Sequence, residues 1–356
     1  MIPADLGAEL TRVIGDAIAA GDLPEAAANV SPAGTWRPSP DHDRAAYATS
    51  LPFDLAQAAG ATGEPTRIAE RLADGLRCIT WISAAQPTSN GYLTITVTPE
   101  ALARLAVRIA RAGPDCARSA ALRGATRPMP PLPDLAAAST WTQAWHAQAA
   151  ALTGRLAAAA GATSQDHPER HSRPGDPGLP RQGRVADAVA YAGAEAVRYW
   201  LARALTEPAG EVGLDNFVKA DLADPYYAVR FACADSASTL RWAADLGLSR
   251  EEPDGPLAGL LGGRAEGALL WQLSWLAERV AGAARRNRPG ELPRYLEETA
   301  RAWLDCRESC PALPFGGRAA PRSAAGISAR LWLAQATRTV LATGLELVGV
   351  TPRDRL

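Results

Sequence analysis

Residues 224–247, with the sequence DPYYAVRFACADSASTLRWAADLG, contain the side chains of this chain best suited to bind a ligand. Tyr226, Tyr227 and Arg230 fall within a single turn and a half of a predicted helix. Tyrosine rings stack on flat ligands, and a guanidinium donates hydrogen bonds in a planar fork, so the expected chemistry is recognition. The small residues that follow are equally typical of a buried bundle helix that a neighbouring helix approaches closely.

The same stretch carries clear signals for where its helix begins and ends. Asp224 is a suitable N-cap and Pro225 suits the first helical position, while Gly247 indicates the C-terminal end. Helical spacing aligns two rows of side chains: Tyr227, Phe231, Ala234, Ser238 and Arg241, and beside them Cys233, Ala237 and Leu240.

Signatures of catalysis or metal binding are absent from the sequence. It contains no glycine-rich phosphate-binding motif and no nucleophile elbow. Cys306 and Cys310 have no partner pair that would complete a zinc site, and His167 and His171 lie among prolines in a predicted loop. We therefore predict no catalytic residue, no metal and no cofactor.

Composition predicts a globular protein of two or three domains. The chain has 356 residues, is 47% hydrophobic, and carries a net charge of −1, so it has no bulk attraction for nucleic acid or anionic lipid. Five scattered cysteines imply no disulfide framework, and no apolar run is long enough to span a membrane. The N-terminal stretch is unlike a signal peptide, so we expect a cytoplasmic protein.

The pattern along the chain divides it into three parts. Residues 1–112 read as a small α+β domain, with two strands joined by a turn at residues 89–91. Residues 113–182 read as a Pro/Gly-rich linker with one helix, from about Thr140 to Ala160. Residues 183–356 read as five or six helices packed as a bundle, with breaks near Pro208, Asp224 and three later Pro/Gly-rich segments.

Four blocks of the C-terminal part, in the right order, resemble arginyl-tRNA synthetases. Residues 195–198, EAVR, match the Asp-Ala-Leu-Arg signature of the DALR anticodon-binding domain, and DPYYAVRFACADSASTL resembles the helix that follows it. Residues 295–313 resemble the late helix of that family, and residues 327–356 closely resemble its C-terminus. The resemblance implies a helical bundle of the DALR type that receives the anticodon stem-loop.

The N-terminal part is similar, more loosely, to the additional N-terminal domain of the same family. NGYLTITV resembles the strand whose aromatic and Asn help the family read the elbow of tRNA, so Tyr92 and Thr94 are the elbow candidates. Here Thr94 stands where the family has Asn, and Ala45-Ala46 replaces its Gly-Asp.

The catalytic centre of the family has no counterpart in this sequence. Its doubly wound nucleotide-binding domain would have to fit within residues 113–182, although each βαβ unit takes roughly 30 residues or more. The His-x-Gly-His signature is missing, and Lys219 is the only lysine, so no lysine-rich catalytic loop exists. We therefore predict an arginyl-tRNA synthetase-like pseudoenzyme that is not itself an enzyme.

These observations favour a non-catalytic tRNA-binding protein that prefers an arginine isoacceptor. A synthetase or another tRNA-using enzyme is a possible further partner, and no membrane partner is predicted. The resemblance makes these residues the anticodon-binding candidates: Tyr226, Tyr227, Arg230, Trp303, Arg307, Arg330 and Arg338. Two alternatives stay open: a protein-interaction or regulatory module that has lost tRNA binding, favoured by the near-neutral charge and by Asp235, and an enzyme of another class, for which no motif is present.

Overall fold

The computed structural model describes residues 2–38, 45–60, 64–164, 183–205, 221–252, 254–313 and 323–356. Its α-helices are α1 Ile2–Ala19, α2 Leu51–Ala58, α3 Pro65–Leu76, α4 Pro99–Ala112, α5 Trp141–Ala159, α6 Val185–Ala192, α7 Ala194–Arg203, α8 Pro225–Asp245, α9 Arg264–Leu273, α10 Leu276–Arg285, α11 Glu291–Ser309 and α12 Ala324–Val348. Its strands are β1 Trp36–Pro38, β2 Ala46–Thr49, β3 Ile82–Pro87, β4 Leu93–Val97, β5 Thr126–Arg127 and β6 Thr163–Ser164.

The N-terminal part is built on a four-stranded antiparallel sheet with the order β1-β2-β4-β3. The predicted hairpin of β3 and β4 is present, because Leu93, Ile95 and Val97 alternate with polar residues and turn their side chains into the core. Thr94 lies between Ala48 on β2 and Gln86 on β3, so these three side chains share the outer face of the sheet. The structure confirms an α+β N-terminal part followed by a mostly helical C-terminal part.

One continuous hydrophobic core joins the sheet to the helices that follow. The cluster that includes Leu6 and Leu10 of α1 also includes Val229 of α8 and Leu345 of α12. Residues 113–164 take part in this core through α5, whose Leu152 is fully buried. The domain division at residues 112 and 183 stays a prediction, and most of the Pro/Gly-rich segment 167–183, with the break near Pro208, lies outside the described residues.

A buried polar joint holds the sheet against the turn between α9 and α10. The Tyr47 hydroxyl donates to Ser274 Oγ at 2.8 Å, and Trp271 Nε1 donates to the Ala46 carbonyl at 3.4 Å. The Tyr47 ring lies 5.2 Å from the Trp275 ring, and burial raises the pKa of Tyr47 above its usual range. The two parts therefore share a specific interface in which Tyr47, Ser274 and Trp275 are buried.

In the C-terminal bundle, α8 lies against α12 more extensively than any other pair of described elements. α8 also packs against α11, and its small residues Ala232, Cys233 and Ala237 are buried in the bundle. Small side chains let helix axes approach closely, which explains the run of alanines. Within the described ranges, no helix is both long and apolar enough to cross a membrane.

Candidate nucleic-acid interface

The first turn of α8 is set by its cap. Asp224 Oδ1 accepts a hydrogen bond from the backbone N–H of Tyr227 at 2.7 Å, and Pro225 occupies the first turn, as predicted. This start places Tyr226, Tyr227 and Arg230 together at one end of the helix. We call these three residues the tyrosine face.

The tyrosine face is half-buried and rigidly supported from below. The Tyr226 ring lies 5.5 Å from that of Tyr199 on α7, which is fully buried, and the Tyr227 ring stacks on Phe231 at 6.0 Å. Burial raises the pKa of Tyr226, while the positive charge of Arg230 opposes that rise. Tyr226 is therefore a neutral phenol with a fixed ring.

Arg230 lies over the Tyr226 ring, with its guanidinium carbon 5.1 Å from the ring centre. Its Nε atom has no hydrogen-bond partner among the described residues, and no described carboxylate forms an ion pair with it. The Nε atom is buried, so only the terminal nitrogens of this guanidinium could donate to a carbonyl or phosphate oxygen of a ligand.

The EAVR stretch of α7 holds the C-terminal tail beside this face. Glu195 Oε1 accepts from the backbone N–H of Thr351 at 3.1 Å, and Arg353 lies 4.0 Å from Glu195. Arg198 donates to the Gly349 carbonyl at 3.2 Å, and burial lowers the pKa of its guanidinium, with the nearby positive charge of Arg155 adding to the effect. The signature residues thus position the tail.

Trp303 and Arg307 meet at Asp235, one turn further along α8. Trp303 is buried and donates through Nε1 to Asp235 Oδ2 at 3.0 Å, and Arg307 Nε lies 3.3 Å from the same oxygen. Burial raises the pKa of Asp235, an effect that Arg307 and then Trp303 oppose. The acidic residue that departs from the family pattern is therefore bound to two of the anticodon candidates.

Arg330 is held in the bundle interior. It donates to Glu266 Oε1 at 2.7 Å and to the Pro311 carbonyl at 3.0 Å, and Glu266 also accepts from the backbone N–H of Gly263 at the start of α9. The pocket beside Trp303 and Arg330 has room for about one water molecule, which is too little for a nucleobase.

Arg338 is bound on the tail side of α12. Its Nε and one terminal nitrogen donate to Asp354 Oδ1 at 3.0 and 2.7 Å, and Arg241 donates to the Asp354 carbonyl at 2.8 Å. Of the predicted arginines, Arg307, Arg330 and Arg338 are therefore bound to carboxylates of the same chain, and Arg230 stands apart from them.

The elbow candidates lie on the outer face of the sheet. Tyr92 is half-buried, and its ring packs edge-on against Phe53 at 5.1 Å. Thr94 is two residues further along β4 on the same face. Phe53 cannot be grouped with Tyr92 from the sequence, because α2 and β4 approach each other only in the folded chain. The same holds for Tyr199 beneath Tyr226.

The described residues hold no group of three His, Cys, Asp or Glu side chains placed to bind a metal ion.

The C-terminal bundle matches a known domain family. Residues 232–356 match the model described as the DALR anticodon binding domain. Trp303, Arg307, Arg330 and Arg338 lie within the matched range, and the tyrosine face lies just before it. Residues 232–356 are therefore similar to DALR anticodon-binding domains.

Part of the chain is also similar to a longer protein. An arginine–tRNA ligase from Kineococcus radiotolerans is 34% identical over 176 residues, which is 48% of this chain and 30% of that protein. The chain thus spans about 30% of the length of that relative and is related to arginyl-tRNA synthetases over about half of its own length.

Solved structures give weaker similarities. The arginyl-tRNA synthetase of Thermus thermophilus is 24% identical, with a TM-score of 0.36, over 49% of this chain and 28% of that one. That of Plasmodium falciparum is 15% identical, with a TM-score of 0.37, over 48% and 28%.

Proposed function

We propose that this protein binds tRNA, with a preference for an arginine isoacceptor, through its DALR domain and without aminoacylating it. The observation that carries the proposal is the tyrosine face, where the partly exposed Arg230 lies over the Tyr226 ring and no described carboxylate pairs with it. Unpaired bases of an anticodon loop stack on such rings, and each stacked base contributes roughly 1–3 kcal/mol. The guanidinium would hydrogen-bond a base edge or a phosphate.

The other anticodon candidates would act mainly through charge. Arg307 and Arg338 are partly exposed even while they are paired, with 37% and 34% of their side chains accessible. The Arg338–Asp354 pair is exposed on both sides and therefore weak, so a phosphate can compete with Asp354 for Arg338. Arg307 would keep its pair with the buried Asp235 and offer its exposed part to a phosphate. Arg330 and Trp303 would support the bundle.

The absence of aminoacylation is proposed from the sequence. The single lysine and the missing His-x-Gly-His signature leave no residues for ATP-dependent activation of arginine. ATP–pyrophosphate exchange with arginine and tRNA tests this directly, and we expect no exchange above the background without protein. Exchange at a rate proportional to protein concentration would contradict the proposal.

A protein-interaction module is the second candidate function. The internal pairing of Arg307, Arg330 and Arg338 with carboxylates favours it, because it reduces the positive charge available to a phosphate backbone. Such a module would bind a synthetase or another tRNA-using enzyme with equal strength before and after nuclease treatment.

Tyr92 and Thr94 are proposed to contact the tRNA elbow. If they do, Tyr92→Ala weakens binding of full-length tRNA and leaves binding of the isolated anticodon stem-loop unchanged. Equal binding of full-length tRNA by Tyr92→Ala and the unmodified protein would remove the elbow from the proposal.

A titration with an arginine tRNA transcript and with a mixture of other tRNAs, at about 50 and about 200 mM salt, tests the function itself. We expect the arginine transcript to bind more tightly, with an affinity that falls steeply as salt rises. No binding at the lower salt concentration would leave the protein-interaction module as the function.

A further inference from the structure

Two of the five cysteines line one small pocket at the C-terminal end of α11. Cys306 lies on the last full turn of this helix, and Cys310 is its C-cap residue. Both line the pocket beside Trp303 and Arg330, and both carry free thiols. The backbone N–H of Cys310 donates to the Cys306 carbonyl at 2.7 Å, so the two residues are one helical turn apart. We call these two residues the thiol pair.

The backbone of Cys310 has already left the helix. Its φ of −133° and ψ of 65° are not helical. Residues four apart on a helix have Cβ atoms about 5–6 Å apart, whereas a disulfide needs about 3.5–4.5 Å. Because Cys310 lies beyond the last helical residue, Ser309, a rotation of its side chain and of the peptide before it can close this gap while the helix itself stays intact.

The two thiols have different access to solvent. Cys310 is partly exposed, whereas only 3% of Cys306 is exposed. Burial raises the pKa of Cys306 well above its usual range, and the negative charge of Glu266 adds to that rise. The Cys306 thiol therefore stays protonated, and a small reagent that arrives from solvent reaches the sulfur of Cys310 first.

The sulfur of Cys310 packs against the start of α9. A Cβ built at Gly263, the N-cap residue of α9, would lie 2.9 Å from Cys310 Sγ and 2.8 Å from a carboxylate oxygen of Glu266. The glycine thus makes room for this sulfur. Glu266 is paired with Arg330 at 2.7 Å, so these two charges largely offset each other. The partial positive charge of the helix N-terminus remains, and it stabilises a thiolate.

We propose that the thiol pair is a peroxide-reactive site that converts reversibly between two thiols and a disulfide. The Cys310 sulfur attacks one oxygen of hydrogen peroxide, which breaks the O–O bond, forms a sulfenic acid and releases water. The sulfur of Cys306 then attacks the sulfenic sulfur, and the sulfenic oxygen leaves as a second water with the Cys306 proton. The two sulfurs lose two electrons, which reduce the peroxide. This redox chemistry needs no tRNA and goes beyond the proposed function.

The test counts thiols in the folded, full-length protein. The protein is treated with hydrogen peroxide, the excess is removed, and free thiols are counted after unfolding. We expect the count to fall by two, from five to three, and the mass to fall by two hydrogen atoms. Peptide mapping should place the crosslink between Cys306 and Cys310, and dithiothreitol should restore all five thiols. Cys78→Ser is the matched control, because it removes an exposed thiol outside the pair and should leave the crosslink unchanged.

Single substitutions separate the roles of the two sulfurs. In Cys306→Ser, peroxide should leave a sulfenic acid at Cys310 that a cyclic diketone probe labels, because the second thiol is missing. In Cys310→Ser, we expect neither a disulfide nor labelling of Cys306, whose thiol is buried. Cys310→Ser changes a partly exposed side chain at the end of a helix, so this variant keeps the test decisive even where Cys306→Ser disturbs the core.

Five free thiols after peroxide treatment would overturn the proposal, and so would a disulfide that joins other cysteines or two chains. Labelling of Cys306 in Cys310→Ser would overturn the assignment of Cys310 as the sulfur that meets the peroxide. None of these measurements involves RNA, so failure of this site is distinguished from failure of the proposed tRNA binding.

Discussion

Asp235 shows how a single residue can depart from a family pattern and still have a defined role. Its carboxylate accepts a hydrogen bond from Trp303 and forms an ion pair with Arg307, and only 9% of its side chain is exposed. A buried acceptor that binds two donors from α11 fixes the position of α11 against α8. Asp235 therefore has a structural role, and its negative charge offsets the positive charge of Arg307.

The pH dependence of stability tests that role. Burial raises the pKa of Asp235 above its ordinary value of 3.8, so ionisation costs the folded state free energy. This cost is absent at a pH below the pKa of Asp235 in the unfolded chain. It is fully present at a pH above the pKa of Asp235 in the folded protein. Asp235→Asn keeps an acceptor for Trp303 but does not titrate. Its stability relative to the unmodified protein should therefore improve from about pH 4 to about pH 7 in urea unfolding.

Asp235→Ala is the control, because it removes the acceptor as well as the charge. It should lower the free energy of unfolding by about 1–3 kcal/mol at both pH values, since Trp303 Nε1 loses its partner. If Asp235→Asn instead becomes relatively less stable as pH rises, the attraction of Arg307 outweighs burial and the assignment is wrong.

Gly344 sets the distance between α11 and α12. A Cβ at this position of α12 would overlap the side-chain end of Leu296 on α11, which is fully buried. Glycine is therefore required by close packing, although it lowers the helix propensity of α12.

Gly344→Ala should lower the free energy of unfolding by about 1–3 kcal/mol, because the added methyl group overpacks the α11–α12 contact. Leu296→Ala in the same chain makes room for the added methyl group. The double variant should therefore lose less stability than the sum of the losses in the two single variants. Urea unfolding of the four proteins measures this coupling.

Gly326→Ala, also on α12, is the matched glycine control, since a Cβ there would meet only Ser323 Oγ at an ordinary 3.4 Å. We expect no loss of stability from it. A loss at Gly326 as large as that at Gly344, or strict additivity with Leu296→Ala, would contradict the packing argument.

The sequence predicts elements whose signals are local. The start of α8 at Asp224-Pro225 and the hairpin of β3 and β4 follow from capping and alternation, and both are present. The sequence predicts two strands in the N-terminal part and misses β1 and β2, because they are only three and four residues long and β2 pairs with β4, more than forty residues away. The break between α9 and α10 at Ser274 also lacks a Gly or Pro signal.

Among the predicted binding residues, too, only the local arrangements could be predicted from the sequence. The tyrosine face is contiguous on one turn, so helical spacing was enough to group Tyr226, Tyr227 and Arg230. The carboxylate partners of Arg307 and Arg330 are more than sixty residues away in the chain. Spacing along the chain therefore could not show that these arginines are paired.

At the scale of the whole molecule, one hydrophobic core runs through the three parts into which the sequence pattern divides the chain. Tyr47, Ser274 and Trp271 join the sheet to the bundle through buried hydrogen bonds, and α5 packs beneath α12, where Gln148 Nε2 donates to the Val348 carbonyl at 3.2 Å. A continuous apolar core favours cooperative unfolding.

We therefore expect a single unfolding transition, with calorimetry and circular dichroism giving the same midpoint. Tryptophan fluorescence should follow that midpoint, because Trp275 lies at the joint and Trp303 lies in the bundle. Two separate transitions would show that the parts fold independently, as the predicted boundary at residue 112 implies.

The measurement that tests the central claim most directly is a titration of arginine anticodon stem-loop against Arg230→Ala and Arg12→Ala. Both changes remove one positive charge, and Arg12 lies on α1 with half of its side chain exposed. We predict that Arg230→Ala weakens binding by about tenfold and reduces the slope of log affinity against log salt by about 1, while Arg12→Ala changes neither. Equal binding by the two variants would contradict the assignment of the tyrosine face as the RNA-binding surface.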